Sequence, residues 1–302
     1  MEDLLCALQR AHVEWEKDVL LAPHSSFRIG GRAELALFPH VREELVVALR
    51  LLREACLPFV VIGSASNVVF PDEGLRGAVI FTDRMRRLEI CGCEITADAG
   101  VPLSALAVAA RDAGLAGAEF AYGIPGTVGG AVFMNAGAFG GCMAQICAES
   151  YYCELSTGVV DSFAGEEQRF GNRTGIYEQT GRYAILGARL VLTPGDREAI
   201  AVHMADYRTR RKTTQPLEFP SAGSVFKRPE GHFAGKLIED CGLKGLTVGG
   251  AQVSEKHAGF IINRGGATAE DVKTLVAQIR EIVLRQTGVE LECEIRFLEN
   301  KD

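Results

Sequence analysis

Apolar and polar positions along this chain follow two periods, and the switching between them predicts a mixed fold. Leu4, Leu5, Leu8 and Ala11 share one helical face, which predicts a short amphipathic helix over residues 2–15. The run 33–38, closed by Pro39, predicts a strand, and Leu45, Val46, Leu49 and Leu52 predict a helix over 42–56. Pro58 opens an apolar strand, 59–62, and apolar character resumes at Val68-Val69-Phe70. Strands are expected over 78–81 and around 88–97. A helix follows over 103–113, with Pro102 at its start, where a missing N–H does no harm, and Gly114 at its end. Further along, 150–155, 183–193 and 260–262 read as strands, and 196–211 and 233–241 as helices. Thr268-Ala-Glu-Asp271 is a capping box for a long helix that buries Val272, Leu275, Val276, Ile279 and Val283 and stops at Gly288. The last segment alternates strictly. Leu291, Cys293, Ile295 and Phe297 point one way, and Glu290, Glu292, Glu294 and Arg296 the other; a solvated edge is the default reading of that polar face. Interleaved strands and helices of this kind predict an α+β chain.

Composition narrows the class. At 302 residues, two or three domains are expected, with apolar and charged fractions ordinary for a globular protein. A net charge of −7 argues against a general nucleic-acid binder. No apolar run reaches membrane-spanning length, and the first ten residues are too interrupted by charge to read as a signal peptide. Nine cysteines, an odd number without a framework, favour reduced thiols and a cytoplasmic location. Cys91-Gly-Cys93 and the trio Cys142, Cys147 and Cys153 lack paired Cys-x-x-Cys spacing and a nearby histidine, so no metal site is expected.

Candidate chemistry gathers in loops. The uncharged stretch from Gly123 to Gly140 carries Gly123, Gly126, Gly129, Gly130, Gly137 and Gly140. Such density suits a backbone that approaches a ligand closely, its N–H groups turned inward on an anion; a packed Gly/Ala turn between two layers is the alternative. The strand 59–62 runs into Gly63-Ser-Ala-Ser-Asn67, either a phosphate cradle with Ser64, Ser66 and Asn67 as donors or an ordinary strand–turn–strand. Two such loops suit a pyrophosphate. Arg173 lies on a glycine-flanked loop and Arg208–Lys212 is a basic run; both read by default as solvated. Ser224 precedes Lys227, which would favour its alkoxide if the serine is a proton or hydrogen-bond donor. A turn serine is the plain alternative.

Several motifs in one order carry a resemblance to a known family. They are Ser25-Ser-Phe-Arg-Ile-Gly-Gly31, Gly63–Asn67, Gly117-Ala-Glu-Phe120 with the glycine stretch, Pro220-Ser-Ala-Gly-Ser-Val-Phe-Lys-Arg-Pro229, Leu243-Lys-Gly245, Lys256-His-Ala-Gly-Phe260 and Gly288-Val-Glu-Leu-Glu-Cys-Glu294. Together they resemble the UDP-N-acetylenolpyruvoylglucosamine reductases, in the shorter subtype without a tyrosine-bearing loop. The resemblance spans nearly the whole chain. It implies a vanillyl-alcohol-oxidase/PCMH-type FAD-binding domain of two α+β subdomains, residues 1–82 and 83–204, and a C-terminal α+β substrate domain, 205–302. Non-covalent FAD would be held by Gly63, Ser64, Ala65, Ser66, Asn67, Gly100, Gly123, Ile124, Pro125, Gly126, Thr127, Gly129, Gly130, Ala131 and Asn135. NADPH would reduce the flavin, and UDP-N-acetylglucosamine-enolpyruvate would accept the hydride on the path to peptidoglycan. Arg173 and Glu294 would stabilise the resulting enediolate, with a raised pKa expected for Glu294, and Ser224 would donate the proton. Lys244 and His257 would hold the UDP-sugar as basic partners of its diphosphate. A monomer or weak oligomer without nucleic-acid or membrane partners is expected.

Some positions depart from the family pattern. Asn172 and Gly175 replace a tyrosine and a serine around Arg173, and Thr214 replaces a cation before the Gln-Pro linker. Ala65 replaces a glycine, a change that is tolerated if φ is negative there. A related FAD oxidase and a non-catalytic flavin- or nucleotide-binding module are the readings from other classes.

Overall fold

The computed structural model describes residues 1–300 and forms two compact units. The first comprises Met1–Lys17, Leu35–Ser64 and Gly77–Arg210; the second comprises Asp18–Glu34, Ala65–Arg76 and the chain from Arg211 onward.

In the first unit a five-stranded antiparallel sheet runs in the order Val160–Ala164, Cys147–Glu154, Tyr183–Val191, Glu94–Asp98, Leu88–Cys91. The single strand expected around 88–97 is in fact a hairpin, with Gly92 in its turn at φ 60. The strand Val160–Ala164 was not anticipated. It is an edge strand, and Val160 is exposed, so neither face leaves an apolar alternation to read. The helix Leu103–Asp112 forms as expected and ends before Gly114, whose φ of 69 suits glycine. It shares one core with Ile95, Ala97, Val128, Val132, Ala188 and Leu190.

A second sheet has the order Glu14–Leu20, Arg32–Phe38, Leu75–Phe81, Phe59–Ile62, its last two strands parallel. Helices Glu2–Arg10 and Arg42–Glu54 bury Leu4, Leu5, Leu8, Leu45, Leu49 and Leu52 against Leu35, Leu37 and Ile80. Each such leucine contributes roughly 1.5–3 kcal/mol of transfer free energy. The first helix stops at Arg10, short of the expected end, because Glu14–Leu20 is a strand; its charged residues Glu14, Glu16, Lys17 and Asp18 hid it from a hydrophobic reading.

The second unit is built on the helix Ala269–Thr287, whose buried face is the one read from sequence. Thr268 Oγ1 accepts from the Asp271 N–H and the Asp271 carboxylate accepts from the Thr268 N–H, both at 3.0 Å. The Asp72 carboxylate takes the next donors, Ala269 N at 2.9 Å and Glu270 N at 3.3 Å. The helix start is thereby satisfied from two directions. A three-stranded antiparallel sheet, Thr247–Val248, Ala251–Val253, Ile261–Asn263, packs with it around Phe27, Ile29, Val69, Val225 and Phe226. The alternating tail is a regular strand only at Arg296–Phe297, which pairs in parallel with Val68–Val69. Its alternation still sorts the side chains: Leu291 and Ile295 are buried and Glu292 is exposed. Among the described residues no helix is long and apolar enough to cross a membrane.

Candidate active site

In the first unit the glycine stretch is not one loop. Val128–Met134 is a helix, with Thr127 as N-cap accepting from Gly130 N and Asn135 closing it at φ 43. Glycine's poor helix propensity masked it. The backbone donors of its first turn are already used. Val128 N–H goes to the Val101 carbonyl at 2.9 Å, Gly129 N–H to Ala99 at 2.8 Å and Ala131 N–H to Thr127 at 2.9 Å. An inward-facing nest of N–H groups over 128–131 is therefore not what these glycines provide. They permit close packing. A Cβ at Gly129 would sit 2.8 Å from the Ala99 Cβ, and one at Gly100 would sit 1.7 Å from the Thr82 carbonyl oxygen. Thr82, which the sequence did not single out, also donates its hydroxyl to the Ile62 carbonyl at 3.3 Å, anchoring the end of the strand that leads to Gly63.

The two glycine loops meet in this unit. A Cβ at Gly63 would lie 2.4 Å from Thr127 Oγ1, so only glycine allows the approach. Beside this contact the Ser64 hydroxyl is buried and has no hydrogen-bond partner within the protein. Gly130, the third helical residue after the N-cap, is exposed, and a Cβ there would meet only Thr127 Oγ1, at 3.7 Å. A buried orphan hydroxyl and a helical glycine that neither φ nor protein packing demands are what a ligand resting on this surface would require. The Ser64 hydroxyl and the open surface at Gly130 therefore fit a phosphate-bearing cofactor. Gly123 N–H is tied to Ser104 Oγ at 3.2 Å, Ile124 N–H to the Ala121 carbonyl at 3.1 Å, and the Gly126 carbonyl to Leu103 N at 3.0 Å; Gly123 and Gly126 have φ of 80 and 146, and Pro125 between them is exposed.

Arg173 belongs to the same unit and sits at φ 57 in a turn closed by Gly171 N–H to the Thr174 carbonyl, 3.0 Å. Its guanidinium donates to the Asn135 carbonyl at 3.3 Å and to the Gly137 carbonyl at 2.9 Å. Tyr177 just beyond is fully buried and donates to Ser150 Oγ at 2.7 Å, within a cluster of Tyr152, Phe163 and Tyr183. The loop thus has its own packing where the family's tyrosine and serine are replaced. Asn135 contributes both ends of its amide to the same region: Nδ2 donates to the Gly171 carbonyl and Oδ1 accepts from Ala144 N, each at 2.8 Å. That supporting role was missed from sequence. The available signal was an Asn-Ala-Gly run, a left-handed cap pattern.

In the second unit Ala65 has φ of 47, not the negative value its tolerance was expected to rest on. Ser26 N–H donates to the Ala65 carbonyl at 3.4 Å, and Ser26 Oγ to the Ser221 carbonyl at 2.7 Å, so one serine ties this loop to the segment leading to Ser224. Asn67 Nδ2 donates to the Glu294 carbonyl at 3.1 Å, and the Asn67 carbonyl accepts from Arg296 N at 3.0 Å. Ser224 itself bridges Phe260, and the adjacent Val225 carbonyl accepts from Glu294 N at 2.7 Å. Glu294 is thereby opposite Val225, one residue along from Ser224. Lys227 is not turned to the serine. Its ammonium pairs with the Glu292 carboxylate at 2.6 Å, which leaves no support for its expected influence on an alkoxide.

Lys244 and His257 also come together. Lys244 pairs with Glu239 at 2.7 Å, and its charge is felt by the imidazole. The His257 pKa is lowered, first by burial, and Nδ1 accepts from Gly259 N at 3.1 Å. Burial thus disfavours the cationic form, and with Nδ1 taken up by Gly259 it is Nε2 that is left for a ligand. Its ring lies against Gly235 and Gly259, where added Cβ atoms would approach Cε1 to 3.1 and 3.0 Å.

Comparison with known proteins adds the family context. A family model described as FAD binding domain matches residues 33–158, and one described as UDP-N-acetylenolpyruvoylglucosamine reductase, C-terminal domain, matches 215–298. The chain is 45% identical to the UDP-N-acetylenolpyruvoylglucosamine reductase of Clostridioides difficile over 93% of its own length and 92% of that protein. It is 39% identical to that of Lactobacillus acidophilus over 97% and 98%. The crystal structure of the reductase from Thermus caldophilus superposes with a TM-score of 0.80 at 35% identity, covering 95% of this chain and 99% of that one. Berberine bridge enzyme from Eschscholzia californica, at 14% identity and a TM-score of 0.50 over 95% of this chain and 59% of that one, shares the fold alone.

Proposed function

The chain belongs to the UDP-N-acetylenolpyruvoylglucosamine reductase family, has the expected α+β fold with a vanillyl-alcohol-oxidase/PCMH-type FAD-binding domain, and from that premise we propose that it is a cytoplasmic NADPH-dependent flavoenzyme. It reduces the enolpyruvyl group of UDP-N-acetylglucosamine-enolpyruvate to give UDP-N-acetylmuramate for peptidoglycan. The observation that carries the reading is the Val225–Glu294 bond, which pairs the backbone segment bearing Ser224 with the one bearing Glu294. On paired segments of backbone, a serine and a carboxyl are suited to act as a proton source and an acid for one reacting centre.

FAD, when bound, supplies the hydride that NADPH delivers. In this reading Gly63 and Thr127 bring the two loops together, Ser64 and the surface at Gly130 face the pyrophosphate, and Gly100 and Gly129 keep the supporting layers close. The turn from Gly123 to Gly126 completes this part of the cradle, and family resemblance adds Ser66 and Asn67 as flavin-binding residues. Negative charge develops on the carboxylate side of the enolpyruvyl group as its methylene carbon is reduced. The Arg173 guanidinium, already held in place by two carbonyls, stabilises that charge electrostatically. By family resemblance Glu294 serves as a neutral acid toward the developing charge, and the Ser224 hydroxyl gives its proton to the α-carbon. Lys244 contributes charge and His257 its Nε2 toward the UDP moiety.

An anaerobic two-step titration tests this. NADPH should bleach the flavin of the purified protein, and UDP-N-acetylglucosamine-enolpyruvate should restore its colour. Ser224→Ala should bleach normally and recover colour roughly 10²–10⁴-fold more slowly, the range general-acid catalysis contributes. Recovery at the wild-type rate, or a flavin that only oxygen reoxidises, would exclude the proposal.

A further inference from the structure

We propose that Asn135 is a positioning residue for Arg173, coupling the end of the glycine-bearing helix to the arginine's guanidinium. The inference rests on the reading of Arg173 as the group that stabilises the developing charge.

Three contacts converge on this one residue. Its Nδ2 donates to the Gly171 carbonyl, which opens the turn bearing Arg173; its Oδ1 accepts from Ala144 N; and its own carbonyl accepts from the arginine's Nη1. The loop is thus held at its root and the guanidinium near its tip by the same residue. The residue is 8% exposed, so these bonds are shielded from competing water. Only an amide satisfies both ends. A carboxylate would accept from Ala144 N but would set its second oxygen against the Gly171 carbonyl, and a flipped amide would oppose donor to donor and acceptor to acceptor. The backbone makes a second demand, because residue 135 closes the helix at φ 43 and ψ 54, a left-handed conformation that asparagine tolerates better than most residues.

Arg173 needs such support. It is a non-glycine residue at φ 57, a conformation that persists where the surroundings over-determine it. The Gly171–Thr174 bond closes the turn but does not fix the turn against the rest of the unit; the Asn135 amide does. The amide is turned to protein partners on both sides, so in place of the flavin contact that family resemblance implied for it, residue 135 acts on the reaction through the arginine.

The test compares Asn135→Asp and Asn135→Gly with wild type as holoenzymes. Glycine keeps the left-handed cap and the main-chain carbonyl while deleting both amide bonds, so it guards against a fold that fails with aspartate. Both variants are expected to retain FAD content and the rate of bleaching by NADPH. Recovery of colour with UDP-N-acetylglucosamine-enolpyruvate should slow by roughly 10–100-fold, the scale of a misplaced catalytic group. Hydrogen exchange in the peptide spanning 169–175 should quicken with or without flavin. In an Arg173→Lys background, Asn135→Gly should add little further loss, because the two residues act as one unit. Wild-type recovery and exchange in both variants would overturn the proposal. So would loss of FAD with normal turnover per remaining flavin, which would make Asn135 a flavin ligand, or loss of fold in both. If Arg173→Ala recovers colour at the wild-type rate, it is the role of Arg173 that has failed. If Arg173→Ala is slow while both Asn135 variants are normal, the positioning role alone has failed.

Discussion

Ala65 shows how small terms settle a single residue. At φ 47 an alanine carries roughly 1–2 kcal/mol of left-handed strain that glycine would relieve. Against that, glycine has more freedom to lose on folding, roughly 0.4–1 kcal/mol, and removing the buried methyl forfeits about 0.8 kcal/mol. The terms nearly cancel, which explains how alanine occupies a position suited by conformation to glycine. Ala65→Gly is therefore expected to stay within about 0.5 kcal/mol of wild type in urea unfolding. Ala65→Val, crowding a β-branched residue into the same conformation, should destabilise by more than 1 kcal/mol, as roughly expected for strain of this kind. Clear stabilisation by glycine would mean that the strain has been underestimated. The sign of φ at residue 65 could not be read from the sequence, because the loop's path is set by Ser26 holding the Ala65 carbonyl. The identities of Arg173, Ser224 and Glu294 were legible as candidates from family resemblance. Their supports were not, because Asn135 reaches Gly171 and Asn67 reaches Glu294 across long sequence separations.

At the scale of elements, the helix Val128–Met134 separates two reasons for glycine. Gly129 faces the protein, with no room for a Cβ beside Ala99; Gly130 faces open space. Gly129→Ala should cost roughly 1–3 kcal/mol through overpacking. Gly130→Ala should stabilise the flavin-free protein by roughly 0.5–1 kcal/mol, the ordinary gain of alanine over glycine inside a helix, and should weaken flavin retention. Thermal melts of the flavin-free variants and their flavin content after dialysis decide the point. Equal behaviour of the two variants would mean that neither faces a ligand. Elements with a clean period were read correctly, as with Arg42–Glu54 and Ala269–Thr287, because burial on one face imposes that period on the sequence. The strand Glu14–Leu20, the strand Val160–Ala164 and this glycine helix were missed because their residues do not advertise their conformation. Charge, edge exposure and missing side chains each remove the hydrophobic signal.

For the whole molecule, cofactor binding and stability are linked through Ser64. Its buried hydroxyl lacks a protein partner, a cost of roughly 1–3 kcal/mol that a bound phosphate oxygen would remove. Ser64→Ala should therefore melt higher than wild type without FAD. With FAD added, the gap between the two should narrow. Ligand at a hundred times its dissociation constant adds about 2.7 kcal/mol to the native state, and the alanine variant, with affinity lowered by roughly 10-fold or more for a lost charge-assisted bond, gains less. Melting temperatures measured across an FAD titration test this; parallel curves for the two proteins would show that the hydroxyl does not face the cofactor. By itself the sequence determined the mixed class, the long helices with their buried faces, the glycine loops and, through family motifs, the candidate reacting groups. These are local patterns of period, cap and residue type. Only the tertiary structure decided which glycines pack and which face open space, that Lys227 is held by Glu292, that burial lowers the His257 pKa, and which residues brace the candidate groups. Those outcomes depend on atoms brought together from distant positions in the chain, and burial and hydrogen bonding between them are properties of the fold that no single segment encodes.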